Sequence, residues 1–257
     1  MKEAIMVKLK EITGFLDNEL KIADFRDDSN NGLQVSNSGQ LRNICVGVDA
    51  SLEFFEMAAE KKAGLLICHH GISWNDSLKR ITGMNYNRLK FLMDHDMALY
   101  AAHLPLDAHP RLGNNIQICR KLGLKSVKPF GDYHGMTIGF KGSLPKRVRL
   151  ERFKDLVSSS VGKVTGYMDF GKPDVRSVVV VSGGGASVMT DAAESGADVF
   201  LTGEAGLSAY HVSREYGINA VLAGHYATEV FGVKAVASLL EKRFRVKAIF
   251  VDTKVPF

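Results

Sequence analysis

The sequence predicts an α/β protein of two similar lobes with mixed sheets, and three observations lead there. β-branched apolar runs alternate with helix-period stretches at the spacing of strand–helix–strand units. Several of those helical stretches open on capping residues or close on glycine. Segments of one half can also be laid on the other, as duplication would leave them. With 257 residues and 46% apolar content, the chain has enough material for two cores.

The chain opens on a helical spacing, Ile5, Leu9, Ile12 and Leu16, with Lys8, Lys10 and Glu11 where a secretion signal needs its apolar stretch. The polar segment DDSNNGLQVSNSGQ follows as a loop or short edge strand. NICVGV (43–48) is a strand, and Asp49 and Ser51 offer caps for the helix LEFFEMAAEKKAG. LLICHH is a buried strand ending on two histidines. Residues 86–96 are helical, MALYAA (97–102) is a strand and GNNIQICRKLG (113–123) a helix. The stretch 125–133, around Pro129 and Gly131, is the best boundary, dividing a first lobe (1–127) from a second (128–257). The second lobe repeats the scheme: strand 134–140, helix 150–161, strand 175–182, then SVMTDAAESG, DVFLTGE, LSAYHVSREYG and INAVLAG as alternating helices and strands. The long helix TEVFGVKAVASLLEKRF and the strand VKAIFVD close the chain.

Composition excludes several classes. Thirty-three Lys and Arg against twenty-eight Asp and Glu leave a net +5, spread over both halves, which is no nucleic-acid footprint by itself. Cys45, Cys68 and Cys119 are odd in number and widely separated, mostly in apolar runs, so they are expected as buried thiols of a reducing compartment. No run approaches the ~20 apolar residues of a membrane span. The expectation is a soluble cytoplasmic protein.

The duplication carries the chemistry. AAEKKAGLLICHHG (58–71) resembles AAESGADVFLTGE (192–204), as duplication or the general likeness of strand–loop–helix units would make it, and ALYAAHLPLD (98–107) parallels AVLAGHYATE (220–229). Each member of the second pair is an apolar strand delivering His-x-x-x-acid: His103 and Asp107 in one copy, His225 and Glu229 in the other. His225 and Glu229 stand four apart at a helix start and share a face, a pairing that suits zinc, iron or manganese. Pro105 is expected to keep His103 and Asp107 in a loop. His69 and His70 point to opposite sides of their strand, so they suit two neighbouring ions, one each, or else an exposed pair at a strand end. Four histidines and two carboxylates thus stand at strand ends, and five of them would hold two divalent ions if one carboxylate bridges. Such a pair lowers the pKa of bound water, making hydroxide near neutral pH.

NGLQV, VGVD, LLICHHG, AAHLPLDAHPRLGNN, TGE and AGHYATEVFGVKAVASLL, in that order over residues 30–240, resemble the Nif-three-like dinuclear-metal family, whose members are often called GTP cyclohydrolase I type 2. The resemblance implies His69, His70, Asp107, His225 and Glu229 as metal ligands, with Glu229 bridging. It also implies metals in a cleft between two α/β domains and a toroidal homohexamer. Gly71 stands where the family often has proline, and Ser29-Asn30-Asn31 where it often has Trp-Asp-Asn; neither departure touches a ligand.

Beside the ligands, His103 is the acid/base or supporting candidate, the alternative being a histidine bonded to backbone. Trp74, Lys79 and Arg80, in the loop after the His pair, suit a base and its phosphates or else an ordinary solvated lid. Ser182-Gly-Gly-Gly-Ala186 offers amides to an anion or makes a tight turn. His95, His109, His134 and His211 have no such partners and are expected as surface or structural residues. The function expected is a metal-dependent hydrolase of a nucleotide or phosphorylated substrate, with opening of the GTP imidazole ring and formate release as the specific form the resemblance implies. The alternative is a metal-binding regulatory ring that binds DNA or a transcription partner through Lys146, Arg147, Arg149, Arg152 and Lys154.

Overall fold

The computed structural model describes residues 7–39, 41 and 43–256. Ile5, the first position of the apolar stripe, lies outside them. The chain divides into two compact units, Met1–Leu106 with Gly232–Lys254, and Asp107–Phe231 with Val255–Phe257. This packing division places residues 107–127 with the second unit and returns 232–254 to the first, whereas the sequence boundary fell at 127/128.

In the first unit, α1 (Leu9–Leu20) buries Leu9, Ile12 and Leu16, the positions its spacing selects. β1 (Gly32–Val35), β2 (Asn43–Asp49), β3 (Ala63–His70), β4 (Ala98–Ala101) and β11 (Ala248–Phe250) form one sheet in the order β1-β4-β3-β2-β11. β2, β3, β4 and β11 run parallel, and β1 pairs antiparallel with β4. Parallel neighbours require crossovers. These are α2 (Leu52–Glu60), whose cap Ser51 accepts from Phe54 N at 3.1 Å, and α3 (Gly83–Asp94). Phe54, Phe55 and Ala58 of α2 pack on Cys45, Leu66, Cys68 and Leu99. Because β3 is central, it is apolar without alternation, and only its last residue, His70, is partly exposed.

The second unit contains α5 (Asn114–Lys121), β5 (Lys125–Tyr133), β6 (Met136–Arg149), α6 (Leu150–Ser160), β7 (Gly166–Asp169), β8 (Asp174–Val180), α7 (Met189–Glu194), β9 (Val199–Thr202), α8 (Leu207–Tyr216) and β10 (Asn219–Leu222). Its sheet runs β5-β6-β8-β9-β10-β7. Phe153, Val157, Val178, Val180, Leu201 and Val221 lie in its core. One-turn α4 (Leu104–Asp107) ends at the first residue of this unit, and α9 (His225–Phe244) begins in it.

The topology repeats. β1-β4-β3-β2 in the first sheet and β7-β10-β9-β8 in the second share one order, with chain sequence matched strand for strand. In both, an antiparallel edge strand is followed by three parallel ones. The protein is therefore an α/β fold of two similar lobes with mixed sheets.

Two expectations change. The 125–133 stretch is the edge strand β5, where Pro129 is tolerated because an edge leaves one side without ladder partners. Pro105 does not hold 103–107 in a loop: it lies in the first turn of α4, where no intrahelical N–H bond is needed. The short edge strand β7 escaped the sequence reading, since its four residues alternate only between partly buried and exposed.

The three cysteines are buried and free. Burial pushes the Cys45 thiol up to about 11 and that of Cys119 up to about 12, so neither is a nucleophile at neutral pH. Among the described residues no helix is long and apolar enough to cross a membrane.

Candidate metal centre

In the first unit, the parallel strands β3 and β4 end side by side and deliver three imidazoles. His69, fully buried, points Nδ1 at the carbonyl of Ala102, 2.9 Å away. A carbonyl only accepts, so Nδ1 carries the hydrogen and Nε2 the lone pair. His70 directs Nδ1 to Asp49 Oδ1 at 2.8 Å, and Asp49 stands at the end of the neighbouring strand β2. His103, just after β4, bonds Asp27 Oδ1 at 2.9 Å through Nδ1. One ring nitrogen from each of His69, His70 and His103 lies within 4.8 Å of the others. Trp74 completes the cluster, its ring centroid 5.0 Å from that of His103 and 5.9 Å from that of His70.

The support around His103 comes from the polar segment expected as a loop or short edge strand, which carries β1 at its middle. Asp27 is buried and accepts from Ser29 N, Leu104 N and Asn31 Nδ2 as well as from His103. Asn31 Oδ1 accepts from His103 N at 2.7 Å. Burial alone would raise the Asp27 carboxyl, but the hydrogen bond and charge of His103, with Asn31 and Ser29, hold it down to about 2. The departure Ser29-Asn30-Asn31 is thus structural: Ser29 bridges to Trp74, and Asn30 Nδ2 donates to Ser73 Oγ and the carbonyl of Asn75.

In the second unit, buried carboxylates gather at the turn after β8. Asp107 Oδ1 accepts from Asn114 Nδ2 at 2.9 Å and from Ser182 Oγ at 3.0 Å. Gly183 follows with φ +60°, a conformation open to glycine, and a Cβ there would collide with Glu229 Oε1 and stand 3.0 Å from His225 Nε2. Glu229 is 2% exposed. His225 lies between two carboxylates, with Nδ1 3.0 Å from Glu204 Oε1 and Nε2 3.2 Å from Glu229 Oε1. The Glu229 hydrogen bond outweighs burial and, with the Glu229 charge and Glu204, holds the ring proton up to about 9. Three amides of the turn are engaged: Ser182 N by Asn115 Oδ1, Gly183 N by Thr228 Oγ1, Gly185 N by Thr202 Oγ1. Those three bonds are the contacts of a tight turn.

These donors fit divalent cations. Each of the four imidazoles has Nδ1 committed to an oxygen, the arrangement that orients a ligating histidine and leaves Nε2 as donor. The proton between His225 Nε2 and Glu229 Oε1 occupies the kind of place a cation exchanges into.

A sequence model of Duf34/NIF3, NGG1p interacting factor 3, matches residues 7–256. The chain belongs to this family. It is 42% identical to the GTP cyclohydrolase 1 type 2 homolog of Deinococcus radiodurans, over 94% of this chain and 92% of that one. It is 38% identical to the homolog of the same name from Archaeoglobus fulgidus, over 96% and 98%. The solved structure of TTHA1606 from Thermus thermophilus superposes with a TM-score of 0.88 at 37% identity, covering 98% of this chain and all of that one.

Around the candidate ligands, the sequence did not reveal the contacts made by Asp27, Asn31, Asn114, Asn115 and Ser182. The Asn-Asn pair after Gly113 was visible in its motif, but its contacts with Asp107 and Ile138 needed the fold. Lys79 and Arg80 are exposed, and the Lys79 ammonium is engaged by Asp76. His109 is structural, its Nδ1 accepting from Arg111 N and Leu112 N.

Proposed function

We propose that this protein holds two divalent cations per chain on His69, His70, Asp107, His225 and Glu229, with Glu229 as the bridge, and hydrolyses a nucleotide or phosphorylated substrate. The observation that carries the reading is the common treatment of His69, His70 and His225, each with Nδ1 bonded to an oxygen, together with Asp107 and Glu229 of the second unit, carboxylates buried where an uncompensated charge would be costly. Zinc, iron or manganese bound there supplies Lewis acidity, which activates water and neutralises charge on the substrate.

The chain's own part follows from its geometry. His103 Nε2 takes the proton from the attacking water as its oxygen bonds to the substrate, and returns it to the leaving group. The partly exposed face of Trp74 is the surface available to a base, with Lys79 and Arg80 on the same loop for phosphate. The name of the relatives makes GTP, with imidazole-ring opening and formate release, the first substrate to test. Assembly as a toroidal homohexamer in the cytoplasm belongs to the same proposal, and sedimentation velocity tests the assembly. The DNA-binding alternative gains little from its basic run, because Arg147, Arg149 and Lys154 face Asp198, Asp174 and Glu151.

Elemental analysis decides the metal part: Glu229→Ala should lose at least one ion per chain, and full metal content in that variant would sink the bridging assignment. A screen over nucleotides and phosphoesters with the metal-loaded protein tests the hydrolase part. No turnover of any member of that panel would overturn it.

A further inference from the structure

We propose that Asp27 is the positioning residue for His103, its buried carboxylate fixing the ring with Nδ1–H inward and Nε2 directed to the reacting group beside His69 and His70. The inference rests on the reading of His103 as the proton carrier and adds the residue that makes it one.

Asp27 is built for this task. Its side chain is 2% exposed, while that of His103 is 23% exposed. Oδ1 accepts from His103 Nδ1 at 2.9 Å and Ser29 N at 3.1 Å. Oδ2 accepts from Asn31 Nδ2 at 2.9 Å, Leu104 N at 3.0 Å and His103 Nδ1 at 3.1 Å. Every neighbour is a donor, so the site accepts an ionised carboxylate and no donor of its own, and it keeps that carboxylate ionised to about pH 2. Asn31 makes the clamp two-pointed: its Nδ2 holds Asp27 while its Oδ1 takes the backbone N–H of His103. Turning the ring breaks its Nδ1 bond to Asp27, and Asn31 holds both the backbone that carries the ring and the carboxylate that receives it. A histidine whose Nδ1 is held by a buried carboxylate has a fixed tautomer and presents Nε2 for proton transfer, the relation that a catalytic base needs to its orienting group.

Asp27 also bonds Leu104 N in the first turn of α4, so a purely structural role has to be told apart from positioning. The isosteric Asp27→Asn does this. Its NH₂ is expected on the Oδ1 side, where Ser29 N opposes it, and not on the Oδ2 side, where Asn31 Nδ2 and Leu104 N both do, and from there it donates to His103 Nδ1. The neutral ring is then forced into the Nε2–H tautomer.

The experiment has two arms. In the metal-free protein, nitrogen NMR of His103 with the ring neutral should show Nδ1–H in the wild type and Nε2–H in Asp27→Asn; the same tautomer in both overturns the proposal. In the metal-loaded protein, Asp27→Asn should lower kcat about 100-fold with KM and metal content little changed, the usual size of an acid–base contribution. Added to His103→Gln, the same substitution should lower kcat by less than about 3-fold, since groups acting as a unit are non-additive. A full additional 100-fold loss in that background would mean that Asp27 acts otherwise than through His103, and would overturn the proposal. If the wild type turns over nothing, the hydrolase reading fails, and the tautomer arm decides the role of Asp27 alone.

Discussion

Replacing Gly183 with alanine probes the carboxylate end of the candidate site with one added carbon. The residue has φ +60°, where an L side chain costs about 1–2 kcal/mol. The added Cβ would also press on Glu229 Oε1 and stand 3.2 Å from Glu229 Cδ. Glu229 is 2% exposed, so its carboxylate has no open solvent to retreat into. Gly196 supplies the control: its φ is +73° and a Cβ there meets nothing within 4 Å. Both glycines belong to the second unit, so both substitutions report on the same packed body. Gly196→Ala should cost about 1 kcal/mol from the backbone alone. Gly183→Ala should cost about 1–3 kcal/mol beyond that, the range for overpacking a filled interior. Urea midpoints of the metal-free variants measure the difference, and elemental analysis after loading should show lost metal only in Gly183→Ala. Adding Glu229→Ala to Gly183→Ala should return the steric part and leave the backbone part. Equal destabilisation by the two alanines, with full metal retained in both, would refute the claim that Gly183 is reserved for the Glu229 carboxylate.

Two more outcomes are expected. Phe54 is wholly buried between α2 and its sheet, and Phe54→Ala should destabilise the first unit by about 3–5 kcal/mol in denaturant titrations; a loss under about 1 kcal/mol would mean that this core collapses around the void. Asp27 has a folded-state carboxyl lowered from 3.8 to about 2, so the unfolded chain binds the proton first as pH falls. The stability that Asp27 contributes is therefore complete above pH 4 and is lost as pH drops toward 2, about 2 kcal/mol in all. Wild type and Asp27→Asn should converge in stability across that window, and a constant gap between them would contradict the linkage.

The parts of the fold that repeat were legible because their cause is local. β-branched runs such as 43–48 and 175–182 must lie inside a sheet, and Ser51 must cap something. The edges of the second sheet were not legible: β5 carries Pro129 and β7 is four residues long, and an edge strand is defined by what lies beside it, which periodicity does not record. In the site, the histidines and carboxylates stood out by residue type and spacing. Their supports did not, because Asp27 reaches His103 across 76 positions of chain and Asn115 reaches Ser182 across 67. A buried aspartate in a polar stretch looks like any turn aspartate until the strand that covers it is in place.

The two copies also explain why one support was visible and its counterpart hidden. Setting β4 on β10 by their His-x-x-x-acid ends matches Ala98 with Ala220. Ala98 pairs with Leu65 on β3, and Ala220 with Phe200 on β9. Four residues further along the chain stand His69, within β3, and Glu204, two residues past the end of β9. The second copy therefore places at its strand end the carboxylate that holds His225 Nδ1, inside the short motif where the sequence displays it. In the first copy an imidazole takes that position, so the histidine equivalent to His225 must find its carboxylate elsewhere, and it takes Asp27 from the segment before β1. Exchanging the donor type at one strand position thus has two linked effects: it gives the first unit its paired imidazoles, and it makes His103 depend on a distant residue for its orientation.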